Sequence, residues 1–203
     1  MATTARYIAF EGAEGCGKST QAAFLAADLD AVLTREQGGT PIGQLVRGIL
    51  LDPANTALDH RSEALLNAAD RAQHLAQLVL PALAAGRHVV SDRSVYSTLA
   101  YQGYGRRLPL EEIRQINDWA VRGRWPDLAI LIEVDPAQLA ERMKARTKDR
   151  FERETAAFHT RVRKGFAVMA AADPEHWVVV DGNATPAVVR RRIRTAVRKR
   201  FGV

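Results

Sequence analysis

Residues 7–20, YIAFEGAEGCGKST, constrain the fold more than any other part of the chain. Gly12 to Ser19 reads G-x-x-x-x-G-K-S, an apolar run precedes it, and KSTQAAFLAADL follows with Ala22, Leu25, Ala26 and Leu29 at helical spacing. A buried strand, a glycine loop and a helix in that order form a phosphate cradle. The backbone N–H groups of Gly12, Ala13, Glu14, Gly15, Cys16 and Gly17 can turn inward around phosphate oxygens, and the helix adds the positive end of its dipole. Lys18 then reaches the β- and γ-phosphates, while Ser19, with Thr20 beside it, is placed to ligate Mg²⁺. Cys16 is either a reactive thiolate in this electropositive setting or a small residue that fits the turn.

The remainder of the chain supplies the sheet such a loop needs. Strands are expected at residues 7–10, 31–36, 86–92, 126–134 and 176–181, all rich in Val, Ile and Leu as strands covered on both faces should be. Helical patterns separate them, over residues 41–51, 60–84, 95–103, 109–122, 136–146, 151–172 and 186–201. The pattern predicts an α/β fold, a five-stranded parallel sheet with helices on both faces, and right-handed crossovers then bring the strand C-termini and the phosphate loop to one edge. At 203 residues with no linker, repeat or low-complexity tract, the chain reads as one domain.

Composition narrows the setting. No apolar stretch approaches the ~18 residues of a membrane span, no signal-peptide pattern opens the chain, and a single cysteine allows no internal disulfide, so a cytoplasmic enzyme is expected. The net charge of +6 comes from residues 188–200, which hold seven Arg or Lys and no acid. Val189, Ile193, Val197 and Phe201 give that helix an apolar stripe, and its basic residues read either as a solvated face or as a polyanion-binding patch. No aromatics interleave with them to stack bases, which argues against a nucleic-acid partner.

The sheet edge gathers polar residues that a core does not need. Asp92-Arg93 ends one strand, the carboxylate suited to Mg²⁺ and the guanidinium to a bidentate anion contact. Arg35-Glu36 ends another and leads through Gly38-Gly39-Thr40 to a helix bearing Arg47. Asn67, Arg71 and His74 share one face of the long helix, and Ser94, Thr98, Tyr101 and Gln102 share a face after Asp92. So many arginines call for a second anionic substrate: Arg35, Arg47, Arg71 and Arg93 suit an acceptor phosphate, and Arg146 and Arg150 suit a lid over the transferring group. A nucleotide switch would need at most one extra arginine; a kinase acting on a phosphate needs several.

These motifs resemble those of the bacterial thymidylate kinases, P-loop nucleoside monophosphate kinases, over essentially the whole chain. FEGAEGCGKST resembles their phosphate loop, TREQGGT their T-R-E-P-G-G-T segment, AADRAQH their acceptor-base helix, SDRSVYSTLAYQG their D-R motif, and DRFERE their lid. The resemblance implies a P-loop NTPase fold with a lid at about residues 144–154, ATP and dTMP as substrates, Mg²⁺ as cofactor and a homodimer. It implies that Lys18, Asp92, Arg93, Arg146 and Arg150 carry catalysis, with Ser19 and Asp92 at the metal, and that Glu14, Arg35, Glu36, Arg47, Asn67, Arg71, Arg93, Thr98, Tyr101 and Gln102 surround dTMP. In it Glu14 meets the sugar 3′-hydroxyl, Arg47 and Arg93 the acceptor phosphate, Arg71 and Gln102 the thymine, and Tyr101 the 2′-edge of the sugar. A related kinase with another nucleoside monophosphate acceptor is the alternative. Two positions depart from the pattern: Gln37 replaces the family's proline, and Asn67 replaces the aromatic residue that stacks on thymine.

Overall fold

The computed structural model describes residues 4–144 and 148–202. Five parallel strands, β1 (Tyr7–Glu11), β2 (Val32–Arg35), β3 (Val89–Asp92), β4 (Leu128–Glu133) and β5 (Trp177–Asp181), lie in the order β2-β3-β1-β4-β5. The register sets Arg35 opposite Asp92, and Asp92 opposite Phe10, so these strand ends finish level beside the loop that starts at Gly12.

Side-chain alternation across the pleat gives the sheet apolar packing on both faces. Ile8, Phe10, Leu128, Ile130 and Ile132 pack beneath α1 (Lys18–Asp28) and α9 (Pro186–Phe201), with Ala22, Leu25, Val189, Ile193 and Val197. Ala129, Leu131 and Trp177 face α8 (Ala156–Ala172), with Phe158, Val162 and Phe166. The basic outer face of α9 is partly paired, Arg190 and Arg194 with Asp28, and Arg192 with Asp181. No helix among the described residues is long and apolar enough to cross a membrane.

The remaining helices are α2 (Pro41–Leu51), α3 (His60–His74), α4 (Leu80–Ala84), α5 (Val95–Thr98), α6 (Leu110–Val121) and α7 (Pro136–Met143). Local chemistry starts several of them. The Thr40 hydroxyl accepts from Gly43 N at 3.0 Å ahead of Pro41, and Asp59 accepts from Arg61 N and Ser62 N. The helix expected over residues 60–84 forms as α3 and α4 joined by a π-turn at Leu75–Val79, because Pro81 has no N–H and its ring cannot enter a regular α-turn. Likewise α5 passes into a π-turn at Leu99–Gly105, where Gly105 lies so close to Phe158 that a Cβ would fall 2.6 Å from its ring. The run expected over residues 151–172 becomes a helix only at α8: residues 151–154 turn, and Thr155 caps the helix by accepting from Phe158 N at 3.2 Å.

Faces of α2 and α3 are the informative departure from simple amphipathic packing. On α3 the polar residues Glu63, Asn67, Asp70, Arg71 and His74 are buried, whereas Leu65 is exposed. On α2 Leu50 is buried, and Ile42, Leu45 and Ile49 lie on the surface.

Candidate active site

Three glycines of the loop, Gly12, Gly15 and Gly17, have φ of 138°, 77° and 95°, a region that favours glycine. At Gly12 a Cβ would also sit 2.6 Å from Ile132 O. The buried Lys18 ammonium donates to Gly12 O at 3.0 Å and Ala13 O at 2.7 Å, and lies 3.7 Å from Cys16 Sγ. Ser19 Oγ donates to Asp92 Oδ2 at 2.5 Å. The second carboxylate oxygen, Asp92 Oδ1, is buried with no protein partner.

Arg93 is the pivot between loop and sheet. Its backbone sits at φ 75°, held by donation from its N–H to Phe10 O at 2.9 Å. Its Nη1 donates to Ser97 Oγ at 2.9 Å, and its Nη2 donates to Glu14 and to Tyr101 OH. Burial works against the guanidinium charge, but Glu14, Tyr101, Asp92 and Glu11 more than restore it. Behind this fork stands Glu11, fully buried at the end of β1. Its two oxygens accept from Ser94 Oγ at 2.7 Å and Ser97 Oγ at 2.6 Å. Burial raises Glu11 to about 7 against the opposing pull of Arg93, Ser97, Ser94 and Lys18.

The wall between β2 and α3 is a polar network, in which Asp70 Oδ2 is buried without a partner. Arg71 donates from Nε to Glu36 at 2.8 Å, from Nη1 to Asn117, and from Nη2 to Ser94 O and Thr98 Oγ1. His74 bridges Glu36 at 2.9 Å and Thr34 at 2.8 Å. Burial pushes Glu36 up, yet Arg71 and His74 bring it below the ordinary carboxylate range. Asp70 accepts from Gly38 N at 3.0 Å and is raised to about 6, chiefly by burial. The Glu36–Gln37 peptide bond is cis. Gln37 Nε2 donates to Asn67 Oδ1, and Gln37 O accepts from Arg47 Nη1 at 3.2 Å. Burial and the neighbouring Arg35 charge lower Arg47 from its ordinary value.

Toward residues 148–154 Glu63 is the hub. It accepts from Gln102 at 2.7 Å, from Arg106 through Nε and Nη2 at 3.1 and 3.0 Å, and pairs with Arg150 at 2.7 Å. Burial raises Glu63, and Arg106, Gln102 and Arg150 more than offset it, leaving the carboxyl below its usual range. Arg150 Nε also donates to Leu50 O at 2.8 Å, while its Nη2 is buried without a partner.

A cavity of about 430 Å³ joins these parts. The phosphate loop forms one end through Glu14, Gly15, Gly17, Lys18, Ser19 and Thr20, and Asp92 and Arg93 form its side. Arg35, Glu36, Gln37, Arg47, Asn67, Tyr101 and Gln102 line the opposite wall, and Asp149, Phe151 and Glu152 cover it. One cavity therefore joins the glycine loop to Arg35, Arg47 and Arg93.

The thymidylate kinase family model matches residues 10–193. The thymidylate kinase of Oleidesulfovibrio alaskensis is 44% identical over 97% of this chain and 99% of its own length. That of Trichlorobacter lovleyi is 45% identical over the same shares of the two chains. The chain belongs to the thymidylate kinase family. The crystal structure of the Ehrlichia chaffeensis thymidylate kinase, 30% identical, superposes with a TM-score of 0.79 over 95% of this chain and 98% of that one.

Within this thymidylate kinase scaffold the residues expected at the site separate into two groups. Lys18, Ser19, Asp92, Arg93, Glu14, Arg35, Glu36, Arg47, Asn67, Tyr101 and Gln102 come together around the cavity. Arg71 and Thr98 lie behind Glu36 and are engaged with protein partners, and Arg150 rests on Glu63. Arg146 lies outside the described residues. Four residues with clear structural work were not singled out from the sequence: Glu11, Glu63, Arg106 and Arg142. Arg142 Nη1 donates to Gly15 O at 3.4 Å, and Met143 beside it packs against Gly15, so the end of α7 meets the loop. Glu63 had a signal, since it stands four residues before Asn67 and eight before Arg71, on the same helical face. Glu11 closes an apolar run, and nothing in its spacing marks it.

Proposed function

We propose that this cavity carries out the family's reaction with the phosphate loop holding the donor and the arginine-lined wall holding the acceptor. The reaction is ATP-dependent phosphorylation of dTMP to dTDP. The observation that carries the assignment of roles is the facing of two anion sites across one cavity, one built on Lys18 and the loop N–H groups, the other on Arg35, Arg47 and Arg93.

Arg93 holds the acceptor phosphate in line with the γ-phosphorus, with Arg47 and Arg35 offsetting the repulsion between the two substrates. Glu14, paired with Arg93 and 3.4 Å from Tyr101 OH, faces the acceptor sugar. Lys18 leaves its loop carbonyls for the β/γ oxygens. Arg71 and Thr98 act through Glu36 and the wall rather than by lining the cavity. Arg150 is free to swing toward the transferring group because Glu63 keeps Arg106 and Gln102 without it, and Arg146 is assigned to the same lid. One domain carries the reaction, with residues of about 144–154 closing over it.

The residues at the loop fit Mg²⁺. Asp92 Oδ1 is a buried carboxylate oxygen without a protein partner, and the Ser19 hydroxyl is beside it. Ser19 and Asp92 would hold the ion, and when bound it neutralises charge on the β- and γ-oxygens.

A homodimer is the expected assembly, because the exposed Ile42, Leu45 and Ile49 of α2 and Leu65 of α3 would otherwise stay in water. Sedimentation velocity should give a dimer that Leu45→Glu converts to monomer; a monomeric wild type would contradict the assembly. The acceptor assignment is tested by a coupled assay with ATP and dTMP, dUMP, dCMP, UMP, CMP and AMP in turn. dTMP should have the highest kcat/KM, and another monophosphate exceeding it would overturn the choice of acceptor.

A further inference from the structure

The two positions that depart from the motif pattern, Gln37 and Asn67, touch each other in the cavity wall. Asn67 is 1% exposed, and its Nδ2 donates to Glu63 O at 2.8 Å, one helical turn back. A main-chain carbonyl can only accept, so this bond fixes which end of the Asn67 amide is nitrogen. The oxygen end then accepts from Gln37 Nε2, which fixes the Gln37 amide in turn. Gln37 is held from its backbone as well, through Arg47. Both side chains line the cavity beside Tyr101 and Gln102.

An amide that can turn over reads a hydrogen-bonding edge of either polarity. One anchored at its nitrogen end cannot, because turning over would set two oxygens against each other at a buried position. We propose that the Gln37–Asn67 amide pair determines specificity for the acceptor base, with Gln37 Oε1 and the remaining Nε2 hydrogen forming an edge of fixed polarity. That edge pairs with a base presenting N–H beside a carbonyl oxygen, as thymine and uracil do, and mismatches cytosine, which presents a ring acceptor beside an amino group. A stacking surface could not make this distinction, since every base has a π-face. A polar edge rejects the wrong partner through the groups left unpaired. The proposal rests on the reading that the acceptor base occupies this cavity.

The test is kcat/KM for dTMP, dUMP and dCMP at saturating ATP in wild type, Gln37→Met, Asn67→Leu and the double variant. Wild type should favour dTMP and dUMP over dCMP. Gln37→Met should lower the dTMP to dCMP ratio at least roughly tenfold, mainly through KM for dTMP, with KM for ATP within about twofold. Asn67→Leu should do the same, and the double variant should be no worse than the worse single one, as a coupled unit requires. Gln37 is half-buried and its backbone contact survives the change, so Gln37→Met decides the matter even if Asn67→Leu does not fold. A folded Gln37→Met that keeps the wild-type ratio overturns the proposal while leaving the acceptor site in place. Wild type that phosphorylates none of the three overturns the acceptor-site reading, and the proposal with it.

Discussion

The wall around Glu36 and the network around Glu63 are built on the same part, a buried glutamate paired with arginine, but they hold it differently. Around Glu36, Arg71 and His74 come from one helix, and every nitrogen of Arg71 has a partner. Around Glu63, Arg106 follows a π-turn and Arg150 comes from the turn ahead of α8, with one buried nitrogen unpartnered. Removing Arg150 leaves Glu63 with Arg106 and Gln102, whereas removing Arg71 leaves Glu36 with a single histidine. We propose that similar pairing thus serves as a fixed frame in one place and a releasable latch in the other. On the proposed assignment of the cavity, the fixed frame stands beside the acceptor, and the latch where charge arrives late, once both substrates are enclosed.

The largest effect expected of this contrast is on stability. Arg71→Met should cost about 3–5 kcal/mol in urea unfolding, because it strands a buried carboxylate. A cost near that of an exposed ion pair, under ~1 kcal/mol, would break the distinction between frame and latch.

Sequence alone reaches the frame unevenly. The phosphate loop was legible because its glycines, lysine and flanking hydrophobic runs are local, and so were the five strands. Asn67, Arg71 and His74 were legible as one face of α3, but not the inward turn of that face. Burying Arg71 becomes tolerable only once Glu36, Asn117 and Thr98 arrive from three other elements. Arg150 is the opposite case: its resting partner Glu63 lies far away in sequence, and no local pattern joins the two. The cis peptide after Glu36 and the bond between Gln37 and Asn67 likewise depend on the assembled wall.

A smaller effect is expected at Glu11, which sharpens the picture of how the frame reaches Arg93. As an ionised acceptor it obliges Ser97 to donate its hydrogen, leaving the Ser97 oxygen free to accept from Arg93. Arg93 and Lys18 face it with positive charge, and Tyr7 and Tyr96 are its neutral titratable neighbours. Because its folded value is raised to about 7, its contribution to stability is full below the unfolded value and is lost as pH rises through about 7. Its contribution to activity runs the other way: kcat/KM for dTMP should fall as pH drops through about 7 and Glu11 takes up a proton. The acceptor phosphate titrates near ~6 as well, equally for every variant, so the comparison is with Glu11→Gln. That variant should lose the extra acid limb and run roughly tenfold lower at pH 8, the scale of one weakened charge-assisted contact. An unchanged limb would assign it to the substrate alone.

The most direct test of the division of labour is dTMP binding by calorimetry, without ATP, alongside kcat, in Arg93→Ala and Arg150→Ala. Arg93→Ala should weaken dTMP binding by roughly 10²-fold, the worth of a buried contact to a charged group. Arg150→Ala should leave dTMP binding within about threefold while lowering kcat by roughly 10²-fold, as expected of a contact made mainly in the transition state. Equal loss of dTMP binding in the two variants, or a normal kcat in Arg150→Ala, would contradict a fixed acceptor frame served by a releasable lid.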